Sequence, residues 1–272
     1  MRCNLKALVL WHAARGLLPF DFAQRLWRSG RRFRIDRTLA DEIAFYLLVG
    51  DEYRMIQRKL EPSDVVVDVG ALIGLFGLAA HASGSRSILS YEAQSESFSK
   101  LELNYAHLPG AAAFHAAVFR SDDERPEELG HNGTGARGSV MFEPNAPMCW
   151  WDGGMQPAER TNAQRVSTIA LDDILSRHRR VRLLKVDAEG SEFPILLTSK
   201  LLDRVDEIVG ECHSIDSAVY RNLHPGAQIA GRNQYSGSDL TAKLESEGFT
   251  VELKGQDSTL QLFYAVRPEV SR

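Results

Sequence analysis

Cysteine is scarce in this chain. The three that occur, Cys3, Cys149 and Cys212, are odd in number and far apart, so neither a disulfide framework nor a clustered zinc site is expected. Such usage fits a reducing cytoplasm. Long apolar runs are missing too. Leu5 to Phe20 is fairly apolar, but Lys6, His12 and Arg15 interrupt it, and it falls short of the ~20 residues that cross a bilayer. An amphipathic packing helix is expected there, not a signal peptide or a membrane anchor. There is no basic excess either. Lys and Arg number 32 against 36 Asp and Glu, a formal net charge of -4, which gives no reason to expect nucleic acid as a partner.

What is present is an ordinary globular composition, 44% hydrophobic and 25% charged, in 272 residues. That length suffices for one large domain or one domain with an extension. The chain is organised around Asp64 to Gly74, which reads DVVVDVGALIG. Val65, Val66, Val67 and Val69 flank Asp68 without polar alternation, the pattern of a strand buried on both faces of a parallel sheet. The glycines mark a turn from strand to helix. Such a turn is expected to aim backbone N–H groups and a helix dipole into the crevice beyond the strand, where open α/β sheets bind ligands. Gly70 allows backbone dihedrals closed to other residues, and Gly74 is expected to let a ligand or neighbouring strand approach closely. The Asp-x-Gly-x-x-x-Gly spacing differs from the dinucleotide fingerprint Gly-x-Gly-x-x-Gly, so a hydride-transferring enzyme is the weaker reading.

Residues 1–60 read as a helical cap or extension, and residues 61–272 as the catalytic domain. The cap carries a basic run, Arg25, Arg28, Arg31, Arg32, Arg34 and Arg37, read as a solvated face or as the approach for an acidic substrate. After the helix that follows Gly74, Ser87 to Tyr91 reads as a second strand ending at Glu92. That acid lies 18 positions past Gly74, near the ~20-residue offset at which doubly wound folds place a carboxylate for ribose hydroxyls. Capping the helix near Ser95 is the alternative role. A third strand is expected from Ala112 to Phe119, with His115 too early in it to share the crevice. Residues 120–163, rich in glycine and holding Trp150-Trp151, read as an irregular insertion, either a substrate wall or a loop packed on the domain. Val166 to Ala170, Val181 to Val186 and Asp206 to Cys212 continue the strands. Thr250 to Leu253 and Leu260 to Val266 read as an antiparallel hairpin. The alternation of strand and helix argues for βαβ units in a parallel sheet.

Three segments now stand in order: VVVDVGALIG, LLKVDAEGSEF and IVGECH. The first resembles motif one of S-adenosylmethionine-dependent methyltransferases, and the set resembles the FkbM methyltransferase family. Two departures are visible, Leu72 where the family commonly has Asn and Ala93 where it commonly has Pro. The resemblance implies an α/β class I methyltransferase (Rossmann-like) fold, a three-layer sandwich around a mostly parallel seven-stranded sheet with a C-terminal antiparallel hairpin. It implies S-adenosylmethionine as cofactor, held by Asp68, Gly70, Ala71, Gly74, Glu92, Ala93 and Asp187. It also implies O-methylation of a small hydroxylated molecule, a sugar or polyketide-type natural product. N-methylation of an amine and a non-catalytic cofactor-binding partner remain as alternatives, and a homodimer as an option.

Methyl transfer needs nucleophile, methyl carbon and sulfur in line, and an alcohol must also lose its proton to a nearby base. Asp187, at the end of its strand, is a candidate, its other possible role being the N-cap of the helix near Ser191. His213 is the second, because imidazole accepts a proton near neutral pH. Glu211 could orient His213 or touch substrate. Glu189 could face the pocket, and Glu192 reads as a first-turn helix acid. Asp187, Glu189, Glu192 and Glu211 could form an oxygen-rich cation site, but acids at helix starts are common without metal, and none is assigned.

Overall fold

The computed structural model describes residues 18–33, 50–131, 148–151, 154–157, 164–255 and 259–268. Cys3, most of Leu5 to Phe20, Arg34, Arg37 and several insertion glycines lie outside them. Helix α1 (Phe20–Ser29) comes first. Then β1 (Val65–Val69), α2 (Leu75–Ser83), β2 (Ser87–Glu92), α3 (Ser95–Tyr105) and β3 (Ala111–His115) alternate. After these come β4 (Ala117–Phe119), β5 (Glu128–His131), β6 (Met148–Trp151), β7 (Gly154–Pro157) and β8 (Gln164–Ala170). The rest of the chain supplies α4 (Leu171–Leu175), β9 (Val181–Val186), α5 (Glu192–Thr198), β10 (Val205–His213), α6 (Ser217–Tyr220), α7 (Gly237–Ser246), β11 (Thr250–Lys254) and β12 (Leu260–Val266).

Seven strands form the main sheet in the order β11-β12-β10-β9-β1-β2-β3. The five strands from β10 to β3 pair in parallel, whereas β12 runs antiparallel to both β10 and β11. The expected hairpin is thus present, with its second strand inserted beside β10. The run of valines in β1 is explained by burial on both faces. Val66 packs with Leu183, Val209 and the helices α1, α2 and α3 through Leu26, Leu78 and Leu101. Val67 and Val69 pack with Leu184, Ile208 and the opposite layer through Phe193, Leu196, Leu240 and Leu244 of α5 and α7. Each such side chain withdrawn from water contributes ~1.5–3 kcal/mol.

Helix α1 buries Phe22, Ala23 and Leu26 and is tied to α2 by Arg25 Nε, which donates to Ala82 O at 3.0 Å. Arg28, Arg31 and Arg32 of the basic run are exposed. Among the described residues, no helix is long and apolar enough to cross a membrane.

Two expectations about local structure change. The strand read from Ala112 to Phe119 breaks at Ala116. Its first part is β3, an edge strand of the main sheet, while β4 leaves to pair in parallel with β8 in a separate sheet, β4-β8-β5. Ala117, Val118 and Phe119 are buried there. Residues 50–60, read as helical, are turns. Asp51 Oδ1 accepts the Met55 and Ile56 amides, and Asp51 and Arg54 take positive φ, which closes a tight loop instead of a helix. Trp150 and Trp151 lie on β6, which pairs with β7 as an antiparallel hairpin inside the insertion.

Candidate active site

The strand ends are level. Val69 pairs with Tyr91 of β2 and Val186 of β9, and Gly210 of β10 pairs with Val186. Gly70, Glu92 and Asp187 therefore each stand one residue past a common line, and β10 runs on through Glu211 and His213. These residues border the crevice beyond the carboxyl ends of a parallel sheet.

The turn after β1 holds Gly70, Leu72 and Gly74 at φ 74, 52 and 93. A Cβ on Gly70 would lie 1.8 Å from the Asp187 carbonyl oxygen, so no other residue fits against the end of β9. At Gly74 a Cβ would lie 2.5 and 2.8 Å from the Tyr105 and Leu101 side chains of α3, so the packing of that helix requires a glycine there. The expected display of amides into the crevice is corrected as well. Gly70 and Ala71 donate to Tyr91 O, Gly74 donates to Ala71 O, and Leu72 donates to Glu92 Oε2 at 2.7 Å. With these donors satisfied internally, the turn is not a phosphate cradle.

Glu92 sits where its spacing placed it. Its second oxygen accepts the Gln94 amide at 2.8 Å. Each carboxylate oxygen can accept a further bond, so both remain able to receive ribose hydroxyls. Burial pushes the Glu92 carboxyl up to about 7, against the pull of the Gln94 and Leu72 amides. His115, expected to fall short of the crevice, pairs with Glu92 in register; its Nε2 lies 3.1 Å from Ala93 O, and its ring stacks on Phe98.

Asp68 has no exposed surface, so it supports the turn and does not touch a ligand directly. Ser90 donates to its Oδ2 at 3.2 Å, and Lys185 Nζ lies 3.3 Å from its Oδ1. Lys185 carries that support onward by donating to Gly70 O at 2.6 Å, and it also lies 3.4 Å from Asp187 Oδ2. Burial works to neutralise the Lys185 ammonium, but Asp187 and Asp68 outweigh it and raise its pKa.

Asp187 is not a helix cap. The N-cap of α5 is Ser191, and Asp187 instead accepts from Tyr53 Oη at 3.1 Å. Tyr53 is held over the strand ends by its own neighbours: Tyr264 Oη donates to Glu52 O at 2.6 Å, and Arg54 pairs with Glu252 at 2.7 Å. Across the crevice, Asp187, Glu211 and His213 each bring one oxygen or nitrogen within 4.8 Å of the others. His213 Nε2 faces Glu211 Oε2 at 3.4 Å and Glu189 Oε2 at 3.8 Å. Its Nδ1 is bound to Glu192 Oε1 at 3.2 Å, and the same oxygen accepts the Ala188 and Gly190 amides. Glu192 is thus more than a first-turn acid, for it fixes the imidazole. Burial would lower the His213 pKa, but Glu192, Glu211 and Glu189 raise it well above the usual value. Burial and the Asp187 charge push Glu211 up to about 8 and Glu52 up to about 7.

Lys185, Tyr53 and the Glu192 link are the site features that the sequence reading missed. Lys185 had a signal, since residues two apart on a strand share a face and Asp187 was already a candidate. Tyr53 had none, because it meets Asp187 from 134 positions away.

The methyltransferase FkbM domain profile matches residues 68–251, about two thirds of the chain. The chain belongs to the FkbM methyltransferase family. It is therefore a methyltransferase, and its cofactor is S-adenosylmethionine. No curated protein matches it. Among solved structures, the methyltransferase FkbM from Methylobacillus flagellatus KT is 13% identical with a TM-score of 0.41, covering 96% of this chain and 60% of that one. A precorrin-6y C5,15-methyltransferase from Geobacter metallireducens GS-15 is 11% identical, TM-score 0.41, covering 80% and 87%. The ribosomal protein L11 methylase from Lactobacillus delbrueckii subsp. bulgaricus is 13% identical, TM-score 0.39, covering 79% and 74%. The sheet order, with β12 reversed between β10 and β11, is the class I arrangement expected for the family. The residues present also suit the cofactor. A buried carboxylate with free acceptor capacity suits a ribose, and a turn whose Gly70, Ala71, Leu72 and Gly74 amides are already bonded suits a nucleoside that carries no phosphate.

Proposed function

We propose that this FkbM methyltransferase transfers the methyl group to a hydroxyl of a small molecule, a sugar or polyketide-type natural product. The observation that carries the reading is the convergence of Asp187, Glu211 and His213 within 4.8 Å, at the level of the glycine turn. An alcohol must lose its proton as the new bond forms, and the Asp187 and Glu211 carboxylates stand at that point to receive it, whereas amine methylation calls for less base chemistry.

S-adenosylmethionine supplies an electrophilic methyl carbon on a positively charged sulfur. Glu92 would hold the ribose hydroxyls and so orient the cofactor at the strand ends. Asp187, clamped by Tyr53 and Lys185, accepts a hydrogen bond from the acceptor hydroxyl and holds its oxygen in line, which supplies much of the acceleration. Glu211 would take the hydroxyl proton as the acceptor oxygen gained the methyl group and the demethylated cofactor left. The acidic lining, Glu52, Asp187, Glu189 and Glu211, disfavours phosphate-bearing acceptors and so argues against nucleic acid.

The same lining would attract a protonated amine, which is the observation behind the alternative of N-methylation. Incubation with methyl-labelled cofactor and a panel of hydroxylated sugars, polyketides and amines separates the two. Label recovered as a methyl ether supports the proposal; label recovered only on nitrogen overturns it.

A further inference from the structure

We propose that Asp187, Glu211 and His213 form a binding site for a divalent cation of the manganese type, set at the mouth of the methyl-transfer crevice. Its use in catalysis rests on the O-methylation reading above, but its existence does not. Three ligand atoms, two carboxylate oxygens and one imidazole nitrogen, already lie within 4.8 Å of one another. They come from the ends of two paired strands, β9 and β10, whose register fixes their separation. Carboxylates favour magnesium, calcium and manganese, whereas imidazole favours later transition metals. The mixed set therefore suits an ion between these groups.

A cluster of acids alone would not distinguish such a site from a solvated rim. His213 makes the difference. It is only 8% exposed, and its Nε2 points at the Glu211 and Glu189 carboxylates from 3.4 and 3.8 Å, longer than well-formed hydrogen bonds; an ion there takes the place of the proton on that nitrogen, as metal binding to imidazole does. Its other nitrogen is tied to Glu192, a fully buried carboxylate pinned by two backbone amides. That is the arrangement in which a metal-bound imidazole is held, with one nitrogen on the ion and the other on a carboxylate that sets tautomer and ring angle. At Asp187, Tyr53 and Lys185 both engage Oδ2, which leaves the second oxygen to serve the ion.

Three protein ligands leave coordination positions open toward the crevice. A hydroxyl oxygen taking one of them loses its proton more readily. The proton then passes to Glu189, the carboxylate on the crevice rim, and the oxygen lone pair forms the bond to carbon as the S–C bond breaks. Glu211 acts as ligand in this state and not as base.

The test uses the full chain and Mn2+ alone, without acceptor. Loss of the free-ion electron paramagnetic resonance signal and calorimetry should both give one ion per chain. His213→Ala and Glu211→Gln should each weaken binding more than tenfold while leaving S-adenosylmethionine affinity within about threefold. Glu192→Gln removes the charge but keeps an acceptor for Nδ1, and its effect should be about tenfold, the lower end for such outer partners. Circular dichroism melts identify any variant that fails to fold, and Glu192→Gln, the mildest change, then carries the test. No binding at millimolar Mn2+, or binding that none of the three substitutions alters, overturns the site. An ion bound as expected with label delivered only to amines would sink the O-methylation reading and leave the site standing. Full methyl transfer to a hydroxyl by a chain that binds no Mn2+ would do the reverse.

Discussion

The Glu92 carboxylate accepts the Leu72 amide at 2.7 Å across the gap between β2 and the glycine turn, so the acid assigned to the ribose also fixes the loop beneath it. The Gln94 amide occupies its other oxygen. Both oxygens are therefore aimed before any ligand arrives, and little ordering remains to oppose binding.

Replacing Glu92 by Ala should weaken S-adenosylmethionine binding sharply. Two hydroxyl bonds to a charged acceptor are lost, each ~1.5–3 kcal/mol, so a fall of a hundredfold or more in affinity is expected by calorimetry. Unchanged affinity would retire the ribose assignment.

The same residue makes binding pH-dependent. Burial raises the carboxyl to about 7 in the free protein, the Gln94 and Leu72 amides and the Lys185 charge opposing the rise and Asp68 adding to it. Ribose hydroxyls donate to the anion and so lower that pKa in the complex. Binding then releases a proton below pH 7, and affinity should be complete above about pH 8 and fall by up to tenfold per unit as pH drops through 7. Glu92→Gln should flatten the profile. A wild-type profile level from pH 5.5 to 8 would contradict the assignment.

Lys185 should matter first for stability. It is 3% exposed and lies between Asp68 and Asp187; Lys185→Met leaves Asp68 charged and buried without its partner. Breaking a buried pair in this way costs ~3–5 kcal/mol, readable as a lower urea midpoint at unchanged slope. Asp68→Asn in the same background removes the orphaned charge and should restore part of the loss. A Lys185→Met protein as stable as the parent would show that the pair contributes nothing net.

Much of this was legible in the sequence because the informative residues are close to one another in the chain. The unbroken valines of β1 forced a strand covered on both faces, and the 18-residue offset brought Glu92 to the turn. Asp187, Glu211 and His213 were identifiable as strand-end residues for the same reason. Other features depended on distance or on backbone angle. Nothing local distinguishes the bend at Ala116 that sends β4 into a second sheet, since Ala112 to Phe119 has strand character throughout. The direction of the turn amides depends on Tyr91 O and Glu92, which come from the neighbouring strand. Leu72, noted only as a departure from the family's Asn, proves to sit at φ 52, a region Asn tolerates better than Leu. Asp187, Glu189, Glu192 and Glu211 read in the sequence as helix-start acids that need no metal; the fold brings His213 beside Asp187 and Glu211 and puts Glu192 behind it.

Tyr53 offers the sharpest test of how the segment before the first strand serves the reaction. Its hydroxyl donates to Asp187 Oδ2, and burial with the Asp187 charge keeps it protonated far beyond neutral pH. Tyr53→Phe removes one hydrogen bond to a carboxylate, ~1.5–3 kcal/mol, while keeping the ring that packs edge-on to Phe76. The fold should survive, since the apolar contacts remain. Because the lost bond orients Asp187 and not the ribose, kcat should fall about tenfold or more with S-adenosylmethionine affinity nearly unchanged. Equal losses in cofactor affinity and in kcat/KM would instead mean that Tyr53 holds the methionine end of the cofactor, and Asp187 would lose its place as the residue that aligns the acceptor.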